Sequence, residues 1–396
     1  MLLTAFCSCS KDANHDDASN QINELTQEYE QKTDIEFGNT TYNFATDAQN
    51  CFYVQTRNFA AANTGYYYFD YDNEYNCWLK FYDKSANKAL PVCQRIDCTH
   101  DTTDCDSFFA NDEDVTETDG RLWYYDGKLY YVSKQYADNT IDYILNSINL
   151  DGSIRTKVCK ICTLNNSDKG IMSPEVLIHR GIVYYSLSNA EISYLYKIDL
   201  NNTDTSTEIC RCSGFYTGIY NMQGYGDGIC FQCYYYAEET SDENDFSEKV
   251  FYYNNNTNEL SFLTDDILGL YSLADNGIVY SNGTDMMCRS FEDNSSLVLI
   301  NDCISVPSYD GKYIYLDNIN EIETEITDAT QRAISVYDTN GNLIDTIALE
   351  NNMIQSDFGD ADYLLQYFID DSDNCVLYVF DKNQIGTEKH DWIKVE

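Results

Sequence analysis

One unit recurs seven times along nearly the whole chain, and that repetition limits the fold more than any other feature. A Gly or Asp turn followed by an aromatic strand appears as "GYYYF" at 65, "GKLYYVS" at 127 and "GIVYYSL" at 181. It returns as "GICFQCYYY" at 228, "GIVYS" at 277, "GKYIYLD" at 311 and "DYLLQYFID" at 362. After each comes an apolar-aromatic strand ending in Asp or Asn, from "WLKFYDKSANKALPV" at 78 to "LYVFDKNQIGTEKHDWIKV" at 377. Each unit thus holds two hairpins, with turns such as Asp126-Gly127 and Asn340-Gly341 that accept the positive φ of tight turns. Four-stranded units spaced roughly 40–50 residues apart are the mark of a β-propeller. The expected fold is all-β: a single seven-bladed β-propeller of four-stranded antiparallel blades over residues 41–396, one domain because the blades close a ring.

With strands labelled a to d in each blade, antiparallel order places the a–b and c–d turns on one face of the disc. The b–c loops and the d–a crossings share the other. The longest b–c loops, at 237–249 and 318–331, are acidic, so this loop face is the expected seat of function. Tyrosine, at 36 residues, is expected mainly as packing between blades. The chain carries 66 acidic against 24 basic residues, a net charge of −42. Such a surface repels phosphate backbones, which excludes nucleic acid as a partner and favours cationic ligands, basic partners or Ca²⁺. Asp70, Asp72 and Glu74, and Asp370, Asp371 and Asp373, alternate hard oxygen ligands in the manner of a Ca²⁺ site.

The opening residues, "MLLTAFCSCSKDANHDD", pass from an apolar run through small residues and Cys into an acidic stretch. This resembles the lipobox of bacterial lipoproteins, with residues 1–9 as a truncated signal-like segment. Cys9, preceded by Ser8, is the expected lipid anchor; Cys7, preceded by Phe6, is the alternative. Residues 10–40 are polar and acidic and are expected to form a disordered tether. The expected location is the outer face of the bacterial cytoplasmic membrane, reached through the anchor alone.

Chemistry concentrates in "PVCQRIDCTHDTTDC", residues 91–105, where three cysteines and one of four histidines fall within fifteen positions. Cys93, Cys98, His100 and Cys105 make a Cys₃His set suited to structural Zn²⁺. A disulfide between two of the cysteines is the second reading, open to an exported protein. A nucleophilic Cys–His pair is the third. The stretch belongs to a Cys-rich insert, 93–118, between blades one and two, where a staple would order a polar crossing.

The segment "YFDYDNEYNCWLKFYDKSANKALPVCQRIDCTHDTTDCDSFF" resembles surface lipoproteins of anaerobic Firmicutes that carry a propeller domain of unknown function. In them a blade ending in "FD" is followed by Cys, Cys-x-His and Cys, matched here by Cys93, Cys98, His100 and Cys105. Ile96 stands where that motif commonly has Pro. The resemblance implies a surface location and this architecture, and brings no activity.

Other thiols point elsewhere. Cys159/Cys162 and Cys230/Cys233 are C-x-x-C pairs within strands, where residues three apart face opposite ways and chelate poorly. Cys210 and Cys212 share a face and can meet a neighbour. No G-x-S-x-G, H-E-x-x-H or P-loop motif occurs, and His15, His179 and His390 have no evident partner. No catalytic or cofactor-binding residue is assigned. The expected function is a monomeric, membrane-anchored binding module taking a glycan, peptide or protein on its loop face. The alternative is a propeller enzyme acting on polysaccharide or peptide through pocket carboxylates.

Overall fold

The computed structural model describes residues 23–30, 32, 34–47, 59–71, 76–109, 122–165, 172–236, 246–317, 333–349, 358–369 and 375–395. They build seven sheets, each with four antiparallel strands in chain order, as the repeats require. Blade one runs through Phe59–Ala62, Gly65–Tyr71, Cys77–Asp83 and Lys88–Pro91. Blade two follows with Leu122–Tyr125, Lys128–Ala137, Thr140–Asn149 and Thr156–Asn165. The others span 176–213, 215–264, 271–300, 307–348 and 358–394. Among the described residues no helix is long and apolar enough to cross a membrane.

The core is divided rather than central. Seven apolar clusters are buried, one at each contact between neighbouring blades. Tyrosines pack between blades as expected: Tyr66, Tyr184, Tyr252, Tyr271 and Tyr280 are among the largest fully buried side chains. Alternation explains the pattern, since each strand must serve the cluster on either side of its blade. The ring closes between blades seven and one without exchanging a strand. Leu365, Leu377 and Val379 pack on Phe59, Tyr66 and Tyr68, while Asp360 accepts Tyr66 Oη at 2.5 Å and Lys84 Nζ at 2.8 Å.

Two stretches depart from the repeat. The first corrects the expected tether over 10–40 in its described part: residues 23–30, 32 and 34–47 are docked on the propeller, while 10–22 lie outside the described residues. Asn23–Glu24 adds as a parallel fifth strand to the outer strand of blade three, Asn202–Ser213. Leu25 is fully buried and Tyr29 packs edge-on against Phe251 at 5.0 Å. Phe37 stacks on Phe291 at 4.5 Å, and its carbonyl accepts Asp227 N at 2.9 Å. Arg180 then spends all five N–H donors on this region: Asp47 twice (2.8 and 2.9 Å), Asp227 (2.6 Å), and the carbonyls of Asn39 (2.5 Å) and Thr41 (3.0 Å). The apolar side chains that seat the segment are single and irregularly spaced, so no period announces them. Cys7 and Cys9 lie outside the described residues.

The second departure corrects the place of the cysteine insert. Its described part does not lie in the crossing between blades but interrupts the outer strand of blade one; residues 110–118 lie outside the described residues. Lys88–Pro91 pairs with Lys80–Asp83, the chain leaves the sheet, and Phe108–Phe109 returns to pair with Cys77 and Trp78. The excursion therefore stands on the rim of the disc. A shorter correction concerns blade four, whose third strand begins at Phe246, so Glu248 lies in the sheet and not in the loop expected at 237–249.

Candidate metal centre

Three tight turns gather the cysteine loop. Cys98 N donates to Arg95 O at 3.2 Å, Cys105 N to Thr102 O at 3.0 Å, and Phe108 N to Cys105 O at 3.0 Å. His100 adopts φ +61°, a left-handed conformation in which His is enriched, and this reverses the chain at the imidazole. The result brings all four expected residues together: one ligand atom from each of Cys93, Cys98, His100 and Cys105 lies within 4.8 Å of every other. A tetrahedral zinc with Zn–S of about 2.3 Å and Zn–N of about 2.0 Å separates its ligands by about 3.5–3.8 Å. His100 Nδ1 and Cys105 Sγ, at 3.4 Å, already stand near that separation.

The surroundings hold the ligands in place. Cys105 is buried and its sulfur lies 3.0 Å from the buried Ser107 hydroxyl. The Cys93 thiol donates to Asp106 Oδ2 at 3.6 Å, and Arg95 donates to the Asp104 carbonyl. Arg155 of blade two donates to the carbonyls of Asp106 and Phe108, both at 2.6 Å, and lies 3.7 Å over the Phe109 ring. Gly152 of the same turn presses on the Val92 carbonyl so closely that a Cβ would stand 2.3 Å from it. Such partners orient ligands and are as much part of a metal site as the ligands themselves. Ser107 was readable two positions after Cys105; Arg155, nearly fifty residues on, carried no signal in the sequence.

The competing chemistries fare differently. Cys93, Cys98 and Cys105 are free thiols in this structure. Burial, with the neighbouring Cys98 and Cys93, pushes the Cys105 thiol up to about 11 against the lowering effect of Ser107. A nucleophile needs the opposite shift, so the Cys–His pair is poorly prepared for attack. Bound metal would replace the proton that Cys105 otherwise keeps.

The remaining expectations scatter. Cys230 and Cys233 face different interblade clusters, and Cys159 is buried in the cluster that Cys162 only flanks. Cys210 and Cys212 meet Cys233 of blade four in one buried apolar layer. His179 is buried, with Nε2 2.9 Å from Gly226 O, and His390 Nε2 lies 2.9 Å from Asp345 Oδ2. Asp70 pairs with Lys80, whereas Asp72, Glu74, Asp370, Asp371 and Asp373 lie outside the described residues. Residues 237–245 and 318–332, the bulk of the two long acidic loops, lie outside them too.

No family model matches the sequence, and no curated protein matches it. Solved structures with a similar chain path include a PL25 ulvan lyase at 11% identity, covering 89% of this chain and 94% of that one, with a TM-score of 0.46. TolB from Acinetobacter baumannii is similar at 14% identity over 84% of this chain and 79% of its own, TM-score 0.39. Porphyromonas gingivalis dipeptidyl peptidase 4 is similar at 9% identity over 89% of this chain and 54% of its own, TM-score 0.43. None of them brings a residue role to this chain.

Proposed function

We propose that this chain is an exported binding or interaction module, anchored through Cys9, whose propeller carries a structural Zn²⁺ at Cys93, Cys98, His100 and Cys105. The observation that carries the metal is the convergence of three sulfurs and one imidazole nitrogen within 4.8 Å. Four protein ligands fill a tetrahedral shell and leave no position for a substrate, which marks a structural zinc rather than a catalytic one. The zinc supplies a cross-link; the chain's own residues position it. Export and anchoring rest on the lipobox-like start, and a glycan, peptide or protein ligand on the loop face rests on the long loops that face bears.

Metal analysis of anaerobically purified protein tests the centre. About one zinc per chain is expected, lost in both Cys98→Ser and His100→Ala. A disulfide would be indifferent to His100→Ala. Protein that neither retains zinc nor takes it up from added ZnCl₂ under reducing conditions would overturn the centre. Labelling with an azido fatty acid tests the anchor, with label absent in Cys9→Ser; label lost in Cys7→Ser instead moves the anchor there.

A further inference from the structure

Outer strands of a propeller expose an unpaired edge, and soluble proteins blunt such edges with charge, proline or cover. Six of the seven outer strands here do so. Lys88 and Pro91 serve blade one, Lys157 and Lys160 blade two, and Asp204, Glu208 and Arg211 blade three. Glu259 and Lys394 serve blades four and seven, and on blade six Asp345 accepts the Gly386 N–H and meets His390, so a turn of blade seven lies against that strand. Blade five has Ser296–Ile300, "SLVLI", with neither a charge nor a proline. It is not turned inward: Leu297 is 51% and Val298 44% exposed.

The apolar surface continues beyond this strand. The turn at Gly341 of blade six abuts the Leu299 carbonyl, and beside it Leu343 and Ile344 of the next outer strand are exposed. Carboxylates frame the edge, with Glu292 and Asp293 before it and Asp302, whose N–H donates to Asp285, after it. Between Arg289 and Lys312 the sequence has no basic residue, and Arg289 is itself buried against Asn294, whose amide also holds the carbonyl of the exposed Lys32 of the strap. The same chain already accepts an added strand at an outer edge, Asn23–Glu24 on blade three.

We infer that Ser296–Ile300 is a docking edge for an extended segment of a partner protein, apolar in its middle and basic at its ends, added to blade five as a fifth strand. Main-chain hydrogen bonds supply the pairing, and the framing carboxylates select the charge. Because Gly341 closes on Leu299, the open edge covers Ser296 to Val298, comparable in length to the pairing of Asn23–Glu24. A second copy of this chain is a poor occupant, since it brings the same carboxylates and a net charge of −42. The inference names the partner of the interaction module and rests on that reading, but not on the zinc.

A fluorescent seven-residue peptide of alternating valine and threonine with a lysine at each end is the probe, alongside a twin ending in glutamates. The full chain should bind the lysine peptide at least tenfold more tightly than its twin, less so at high salt. Hydrogen exchange should slow at residues 296–298. Val298→Lys, which gives blade five the guard blade two has, should lower affinity at least tenfold at unchanged melting temperature; Leu297→Lys replaces it if it does not fold. Equal binding of the twins, protection at another blade, or indifference to both variants would overturn the edge. A concentration-dependent dimer abolished by Val298→Lys would give the edge to a second copy and overturn the partner. Peptide-array hits kept equally by Val298→Lys would spare the interaction reading and sink this edge. An array blank for the wild type, with the lysine peptide still bound, would do the reverse.

Discussion

The cysteine loop on blade one and the N-terminal strap on blade three both complete the outer edge of a blade, and they are held by opposite means. The strap buries Leu25, packs Tyr29 and Phe37 on aromatic rings, and has Arg180 threaded through its carbonyls. Each apolar side chain so seated is worth about 1.5–3 kcal/mol, enough to offset much of the ordering of its neighbours. The loop from 93 to 106 buries little: Ile96, its one large aliphatic side chain, is fully exposed. Its own turns do not repay the entropy of closing it, so its order is assigned to the four converging ligands. Burial distributes the fastening over many residues, while the proposed metal would concentrate it in four.

Each region carries its own trypsin site, Arg95 in the loop and Lys32 in the strap, so the two can be loosened separately. Removal of zinc by a chelator, or Cys98→Ser, is expected to have the largest effect. Cleavage at Arg95 should accelerate by about a hundredfold, as a metal worth many kcal/mol is lost, with Lys32 unchanged. If both sites open together, the two regions are not independent. Arg180→Met comes next, because it leaves Asp47, Asp227 and two carbonyls without their donor. A loss of about 3 kcal/mol is expected, with Lys32 exposed and zinc content unchanged. Phe37→Ala should cost about 2 kcal/mol by emptying its contacts with Phe291 and Tyr225, again opening only Lys32.

The smallest effect is that of acid. Burial raises the Asp47 carboxyl, but hydrogen bonds from Arg180 and the Asn43 backbone outweigh it and hold the group below its ordinary 3.8. Asp360, at the seam of blades seven and one, is likewise raised by burial and held below 3.8 by Lys84 and Tyr66. A depressed carboxyl stabilises fully above its unfolded value, and that stability is lost as pH falls through the folded one. The stability each contributes is therefore expected to be lost only below about pH 4. Pepsin cleavage within residues 25–47, followed from about pH 5 downward, checks it; release of the strap already at about pH 5 would contradict the pairing.

The propeller was legible because it is written seven times, and errors in one copy are corrected by the others. The metal ligands were legible as residue types at close spacing. Their position was not, because the return of Phe108–Phe109 to blade one is only two residues long and reads like any apolar pair. The strap was hidden for a related reason: Leu25, Tyr29, Ile35 and Phe37 follow neither period, since each fits a gap between blades and not one face of a regular element. Arg180 looked like an ordinary turn residue beside Gly181. Its meaning depends on Asp47, 133 residues earlier, and Asp227, 47 later.

The strap's partners also set an order in time. Lys249 grips the carbonyl of Leu25 from 224 residues downstream, and Asn294 reaches Lys32 from 262. Synthesis from the N-terminus makes the strap well before its berth. Until blades three to five exist, Leu25, Tyr29, Ile35 and Phe37 have nothing to pack on. Docking then reports that the middle of the ring is built. The strap is made before its partners and finds its place only after them.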